Sequence, residues 1–220
     1  MGILGRGIYS LPEAARLTGL KPQRVREWFR GRIKTRIGGP VFRSDYPSVG
    51  GDRAVSFHDL IELYVAGQLR DAGVSLQSLR KVHKRLQSDL DTRHPFCRRE
   101  LLTKDGRVFT LGLDDQGRDE MVEALTHQKV FADILLPFLT RIDYNEATAM
   151  AQRWCISDLV VVDPTICLGK PIVADVGIAT AVLSASYEAN DRDAELVADW
   201  FGVHAKHVIA AVEFERSMAA

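Results

Sequence analysis

The chain has 220 residues, 46% hydrophobic and 26% charged, and its 29 Lys and Arg balance 29 Asp and Glu. No apolar run approaches the ~18 residues of a membrane span, and no apolar signal core follows Met1, so a cytoplasmic protein with no membrane partner is expected. The neutral total hides a division: residues 1–100 hold 19 basic and 10 acidic side chains, a net +9, and residues 101–220 carry the opposite −9. A polyanion is the natural partner of the first half, and the acidic second half repels phosphate. Cys97, Cys155 and Cys167 form no CxxC pair and no disulfide framework; Cys155 and Cys167 are expected as buried thiols.

In chain order, Ser10-Leu11-Pro12-Glu13 has the pattern of a capping box and opens a short helix whose inner face is Ala14, Ala15 and Leu17. Thr18-Gly19-Leu20 turns the chain, and Pro22 suits a first helical position of a second helix that runs to about Arg30. Val25, Trp28 and Phe29 recur at helical spacing and face inward, which leaves Gln23, Arg24, Arg26, Glu27 and Arg30 outside. This is a helix-turn-helix outline. Its second helix has an exposed cationic face suited to a major groove. Lys21 to Arg43 contains eight basic residues against the single acid Glu27. Arg32 to Ser56 reads as a basic hairpin, or wing, with short strands at Val41-Phe42 and Ala54-Val55-Ser56. The candidate DNA contacts are Lys21, Gln23, Arg24, Arg26, Arg30, Lys34, Arg36, Arg43 and Arg53. Gln23, Arg24 and Arg26 are the candidates for base edges, and the others meet phosphate. Ser56 and Asp59 cap a third helix bearing Leu60, Ile61, Leu63, Tyr64, Val65 and Leu69. Ser75 caps a fourth, through Leu79, Val82 and Leu86, with Arg80, Lys81, Lys84 and Arg85 as a solvated face or, alternatively, as phosphate contacts flanking the site.

The pieces Tyr9-Ser10-Leu11-Pro12-Glu13-Ala14-Ala15, Leu17-Thr18-Gly19-Leu20, Val25-Arg26-Glu27-Trp28 and Leu69-Arg70-Asp71-Ala72-Gly73-Val74-Ser75-Leu76 stand in an order that resembles the winged-helix DNA-binding domain of the MerR family. The resemblance implies that Arg26 faces DNA and that wing residues touch the backbone. The wing here is longer than the family's, and the family's long coiled-coil helix and cysteine effector site are absent.

Beyond residue 92 the pattern changes. Glu100 to Leu111 reads as a hairpin turned at Lys104-Asp105-Gly106, followed by a helix from Asp119 through Leu125. Val130 to Leu136 is a buried segment, helix or strand. Asp114, Asp115, Asp119 and Glu120 read as a solvated loop. Leu159 to Val162 is a buried strand stopped by Asp163-Pro164, and Ile166 to Val173 holds a glycine turn between strand-like pieces. Helices are expected over 177–189, 191–200 and 204–216. The last two repeat the helix-turn-helix outline in an acidic stretch, which favours a packing or partner surface over DNA reading. His204 and His207 lack a nearby third ligand and read as surface or capping residues. Gly169-Lys170-Pro171 lacks the Gly-rich loop and Ser/Thr of a phosphate cradle. Neither a metal, a cofactor nor an enzymatic activity is expected.

The tail motifs Val161-Val162-Asp163-Pro164, Gly169-Lys170-Pro171-Ile172, Val176-Gly177-Ile178-Ala179-Thr180 and Val197-Ala198-Asp199-Trp200-Phe201-Gly202-Val203 are similar to a small domain of unassigned chemistry found in VapB-type antitoxins of bacterial toxin–antitoxin pairs. The resemblance implies a PIN-domain ribonuclease toxin as partner, with clustered carboxylates and Mg²⁺, and autoregulation of the operon. Arg153, Lys170 and Arg216 are the cations of the second half that an acidic toxin site would accept. The expected architecture is α+β, mainly α with small β. It comprises a winged helix-turn-helix domain (1–92), a middle hairpin and helix region (93–155) and a C-terminal helical domain (156–220). The expected function is a homodimeric, DNA-binding antitoxin that represses its own operon. The alternative is a stand-alone regulator whose C-terminal half senses a ligand or partner.

Overall fold

Ser10 accepts the Glu13 N–H at 3.3 Å through Oγ while the Glu13 carboxylate accepts the Ser10 N–H at 3.4 Å, so the expected capping box opens α1 (Leu11–Thr18). The computed structural model describes residues 5–30, 40–48, 53–101 and 135–219. Gly19 ends α1 with φ 69°, a left-handed conformation that costs glycine little. α2 (Pro22–Arg30) follows, with Val25, Trp28 and Phe29 buried as their spacing requires. A second capping box, Ser56 with Asp59, opens α3 (Phe57–Asp71), whose Leu60, Ile61, Leu63, Val65 and Leu69 are buried. Ser75 caps α4 (Leu76–Asp89). The fold is mixed α+β, as expected.

The chain divides into two compact units: Ser10–Ala151, and Met1–Tyr9 together with Gln152–Ala220. The first, the amino-terminal unit, is built on α1 to α4, two 3-10 turns (Pro95–Cys97 and Arg99–Leu101) and a short helical stretch over 135–139. Its core runs from Leu11, Ala14 and Ala15 through Val25, Trp28, Phe29 and Phe42 to Phe57, Leu60, Ile61, Leu79 and Phe96.

Among the described residues there are two small antiparallel sheets. β1 (Tyr9–Ser10) and β2 (Ala54–Val55) make one. The other runs in chain order through β3 (Ile142–Tyr144), β4 (Ala151–Cys155), β5 (Val160–Val162), β6 (Pro171–Val173) and β7 (Ile178–Ala179). In the carboxyl-terminal unit Trp154 pairs with Val162, Val161 with Ile172 and Val173 with Ile178. Three helices complete that unit: α5 (Thr180–Ala189), α6 (Ala194–Phe201) and α7 (Ala205–Ala219). Their common core is Val173, Leu183, Val197, Ala198, Val208, Ala211 and Val212. Ile8 and Tyr9 belong here too: the Ile8 N–H donates to Leu168 C=O at 3.1 Å, and Tyr9 Oη donates to Gly169 C=O at 2.8 Å.

The expected hairpin at Lys104–Gly106, the helix from Asp119, the acidic group from Asp114 to Glu120 and the first residues of Val130–Leu136 lie outside the described residues. Val41-Phe42, expected as a strand, is irregular backbone. The N–H groups of both residues donate to Trp28 C=O, at 2.8 and 3.1 Å, so their donors close the end of α2 instead of a β-ladder.

Candidate nucleic-acid interface

α2 separates its residues by chemistry. Val25, Trp28 and Phe29 are 0%, 3% and 1% exposed, while Gln23, Arg26 and Arg30 are exposed, as is Lys21 just before the helix, and Arg24 and Glu27 are half-buried. One short helix therefore brings together four of the expected contact residues, Gln23, Arg24, Arg26 and Arg30, with Lys21 just before its first residue. The surface is not a uniform row of unengaged cations. Arg24 Nη1 lies 3.0 Å from Asp71 Oδ1, at the end of α3. Gln23 Nε2 donates to Glu27 Oε1 at 3.0 Å. Arg53 uses Nη1 to donate to Phe29 C=O at 3.2 Å, placing a cation among the terminal carbonyls of α2, where the helix dipole favours it. Arg43 is exposed. Lys34 and Arg36 lie outside the described residues.

The segment after α2 is pinned by Phe42. Its ring meets Trp28 and Phe29 at 5.9 Å each and His83 at 5.1 Å. Next to this aromatic group lies a set of buried charges. Asp45 Oδ1 accepts from His94 Nε2 at 3.1 Å, and Asp59 Oδ1 stands 4.0 Å from His94 Nδ1. Glu62 Oε2 meets His83 Nε2 at 2.7 Å, and its Oε1 accepts the Phe96 N–H at 2.9 Å. Burial pushes the Asp59 carboxyl up to about 6, against the pull of the Ser56 and Asp45 N–H groups. Burial pulls His94 down, but its hydrogen bond to Asp45 and the charges of Glu62, Asp45 and Asp59 outweigh this and raise it. His58 is lowered, first by burial and then by His94. A cleft of about 640 Å³ opens over Asp59, Glu62, His83 and His94, with Arg43, Arg80, Lys84 and Arg93 also lining it.

Sequence reasoning passed over this cluster. Two signals were available: Asp59 and Glu62 interrupt the apolar run of α3, and His83 falls between the inward-facing Val82 and Leu86 of α4. Arg80, expected on a solvated face, is half-buried and lines the cleft. Lys81, Lys84 and Arg85 are exposed, as read.

In the carboxyl-terminal unit Arg153, Lys170 and Arg216 are all exposed. Arg216 Nη2 pairs with Glu188 Oε1 at 2.9 Å, and Arg192 Nε meets the other oxygen of that carboxylate at 2.9 Å. The three cations sit apart along the chain: Arg153 on β4, Lys170 just before β6 and Arg216 on α7. His207 Nδ1 accepts the His204 N–H at 3.3 Å, so this pair closes the start of α7. The cysteines differ from the expectation of buried thiols: Cys155 is half-buried and Cys167 exposed, the latter in a 3-10 turn where its φ is 48°.

Comparison with known proteins adds two findings. Of the solved structures, the crystal structure of Rv2018 from Mycobacterium tuberculosis is similar with a TM-score of 0.68 and 19% sequence identity, over 93% of this chain and 96% of that one. That likeness concerns the fold alone. No curated protein matches the chain. Residues 160–214, the stretch from β5 into α7, match the family described as "Protein of unknown function (DUF433)".

Proposed function

We propose that the chain is a DNA-binding antitoxin. In this reading the amino-terminal unit, as a MerR-like winged helix-turn-helix, docks α2 in the major groove of operator DNA. The carboxyl-terminal unit neutralises a PIN-domain ribonuclease toxin, and the bound chain represses its own operon as a homodimer. The observation that carries the reading is the two-faced α2. Gln23, Arg26 and Arg30 stand in solvent on a helix whose inner residues are almost wholly buried, and exposed Lys21 precedes it. A rigid helix with an exposed basic and amide-bearing face at its start can place Arg on guanine and Gln on adenine. For the other unit, support comes from apolar side chains left in water: Trp200 is 62% exposed, Val182 46% and Leu196 39%. Such residues favour a macromolecular partner over a solvated surface.

The test uses the full chain and a labelled duplex from upstream of its own gene, read by fluorescence anisotropy over a salt series. Arg26→Ala should weaken binding by about 5- to 150-fold at a base edge, from ~1–3 kcal/mol per bidentate pair. At a phosphate it should instead lower the salt slope by about one. Unchanged affinity and slope would remove α2 as the reading element. Co-expression with the adjacent gene product tests the second half. A co-purifying ribonuclease, silenced in the complex, is expected, and an adjacent product that neither binds nor is inhibited refutes it.

A further inference from the structure

The three buried carboxylates of the amino-terminal unit pose a charge problem. Asp45, Asp59 and Glu62 have side chains 4%, 1% and 1% exposed. Buried carboxylates persist when paired with cations or coordinated to a metal. Glu62 is matched by His83 and by the Phe96 N–H. Asp45 and Asp59 share one imidazole, His94, and the guanidinium of Arg93 stands 3.5 Å from Asp45 on a side chain 61% exposed.

The orientation of the two carboxylates is fixed from behind. Asp59 Oδ2 accepts the Ser56 N–H at 2.9 Å and the Asp45 N–H at 3.1 Å. Asp45 Oδ2 accepts from Ser56 Oγ at 2.7 Å. Each Oδ1 is thereby turned toward His94, and one ligand atom from each of the three residues lies within 4.8 Å of the others. Hydrogen bonds that hold a carboxylate by its far oxygen are the usual outer support of a metal ligand. A tetrahedral ion with bonds of about 2.0–2.1 Å separates its ligands by roughly 3.3 Å. Asp45 Oδ1 lies 3.1 Å from Nε2 of His94 and Asp59 Oδ1 4.0 Å from the other ring nitrogen, Nδ1. An ion takes one of these nitrogens, so the three ligand atoms, now within 4.8 Å of one another, close by up to about 1.5 Å around it. The cleft supplies a route inward and room for a water molecule as fourth ligand, since Asp59 and His94 are both on its wall.

We propose that Asp45, Asp59 and His94 bind a divalent transition-metal ion, zinc by the match of one imidazole and two carboxylates, with its fourth position open to the cleft. Entry of the ion replaces the His94–Asp45 hydrogen bond by two coordinate bonds and releases the proton they share. The ion would join three stretches of chain: the segment after α2, the first turn of α3 and the residues after α4. The site does not depend on the DNA-binding reading.

The experiment takes the full chain, stripped with chelator and dialysed, and titrates it with Co²⁺ followed by visible absorption, then with Zn²⁺ in competition. A 1:1 band in the tetrahedral range, displaced by one equivalent of Zn²⁺, is expected. His94→Gln and Asp45→Asn should each weaken binding by at least about 100-fold, beyond the range seen for outer-shell partners. The double variant His204→Gln/His207→Gln should leave it unchanged. Far-ultraviolet circular dichroism keeps the variants interpretable: if His94→Gln fails to fold, Asp45→Asn, whose amide oxygen can still accept from Ser56, decides the matter. No stoichiometric cobalt band in the native chain, or one that persists in a folded Asp45→Asn variant, overturns the site.

Discussion

Asp71 offers a way to test α2 without removing any of its side chains. Its carboxylate holds Arg24 at 3.0 Å, with side chains 63% and 37% exposed respectively. A pair this exposed is screened and is worth about 0.2–1 kcal/mol. If Arg24 leaves Asp71 to meet DNA, that energy is lost on binding, and Asp71→Asn removes the loss. The expected gain in operator affinity is about 1.4- to 5-fold from that range, with no new contact made to the duplex. Anisotropy titrations at several salt concentrations measure it. A double-mutant cycle with Arg24→Ala isolates the route, because the gain should vanish when Arg24 is absent. Weaker or unchanged binding by Asp71→Asn would refute the reasoning, as would an equal gain in the Arg24→Ala background.

Five further outcomes are expected. Phe42→Ala empties a site among Trp28, Phe29 and His83 where the ring is 3% exposed; urea unfolding should show a loss of about 3–5 kcal/mol. Tyr9→Phe deletes the hydrogen bond to Gly169 and should cost about 0.5–1.5 kcal/mol. Gly169→Ala should cost more than Tyr9→Phe in the same urea unfolding, because φ is +83° and the added Cβ would run into Tyr9 Oη and Gly7 Cα. Glu188 is held below its ordinary value by hydrogen bonds from Arg192 and Arg216. Its contribution is therefore present above the unfolded value of about 4.5 and is lost as pH falls through the lower folded one. Carboxyl NMR titration should show Glu188 moving up in Arg216→Ala. Among the thiols, Cys167 should react first with an aromatic disulfide reagent and Cys97 last, since Cys97 is buried and burial raises its thiol well above the usual range.

Local signals in the sequence were the most legible. Ser10 with Glu13, Ser56 with Asp59, and Ser75 each needed only three residues of context, and all three caps stand in the structure. The inward set Val25, Trp28 and Phe29 followed from helical period alone. What stayed hidden depends on contacts distant in sequence. Phe42 looked like half of a hairpin, yet its neighbours are 13 and 14 residues back on α2 and 41 ahead on α4. His94 meets Asp45 across 49 residues, a pairing no spacing rule announces. The exposed cations of α2 were visible as a pattern, but their engagements were not. Arg24 is drawn to an aspartate 47 residues away, and Arg53 to a carbonyl 24 residues back.

The hold of Ile8 on Leu168 and of Tyr9 on Gly169 has a consequence for how the chain can be taken apart. The backbone passes between the two units at two points, after residue 9 and after residue 151. The helical unit is thus spliced into its companion, not tied to its end by a single thread. A proteolytic nick at either junction leaves the other crossing of the backbone intact. An expression fragment started at residue 152 would leave the Leu168 and Gly169 carbonyls without the donors that the first nine residues supply.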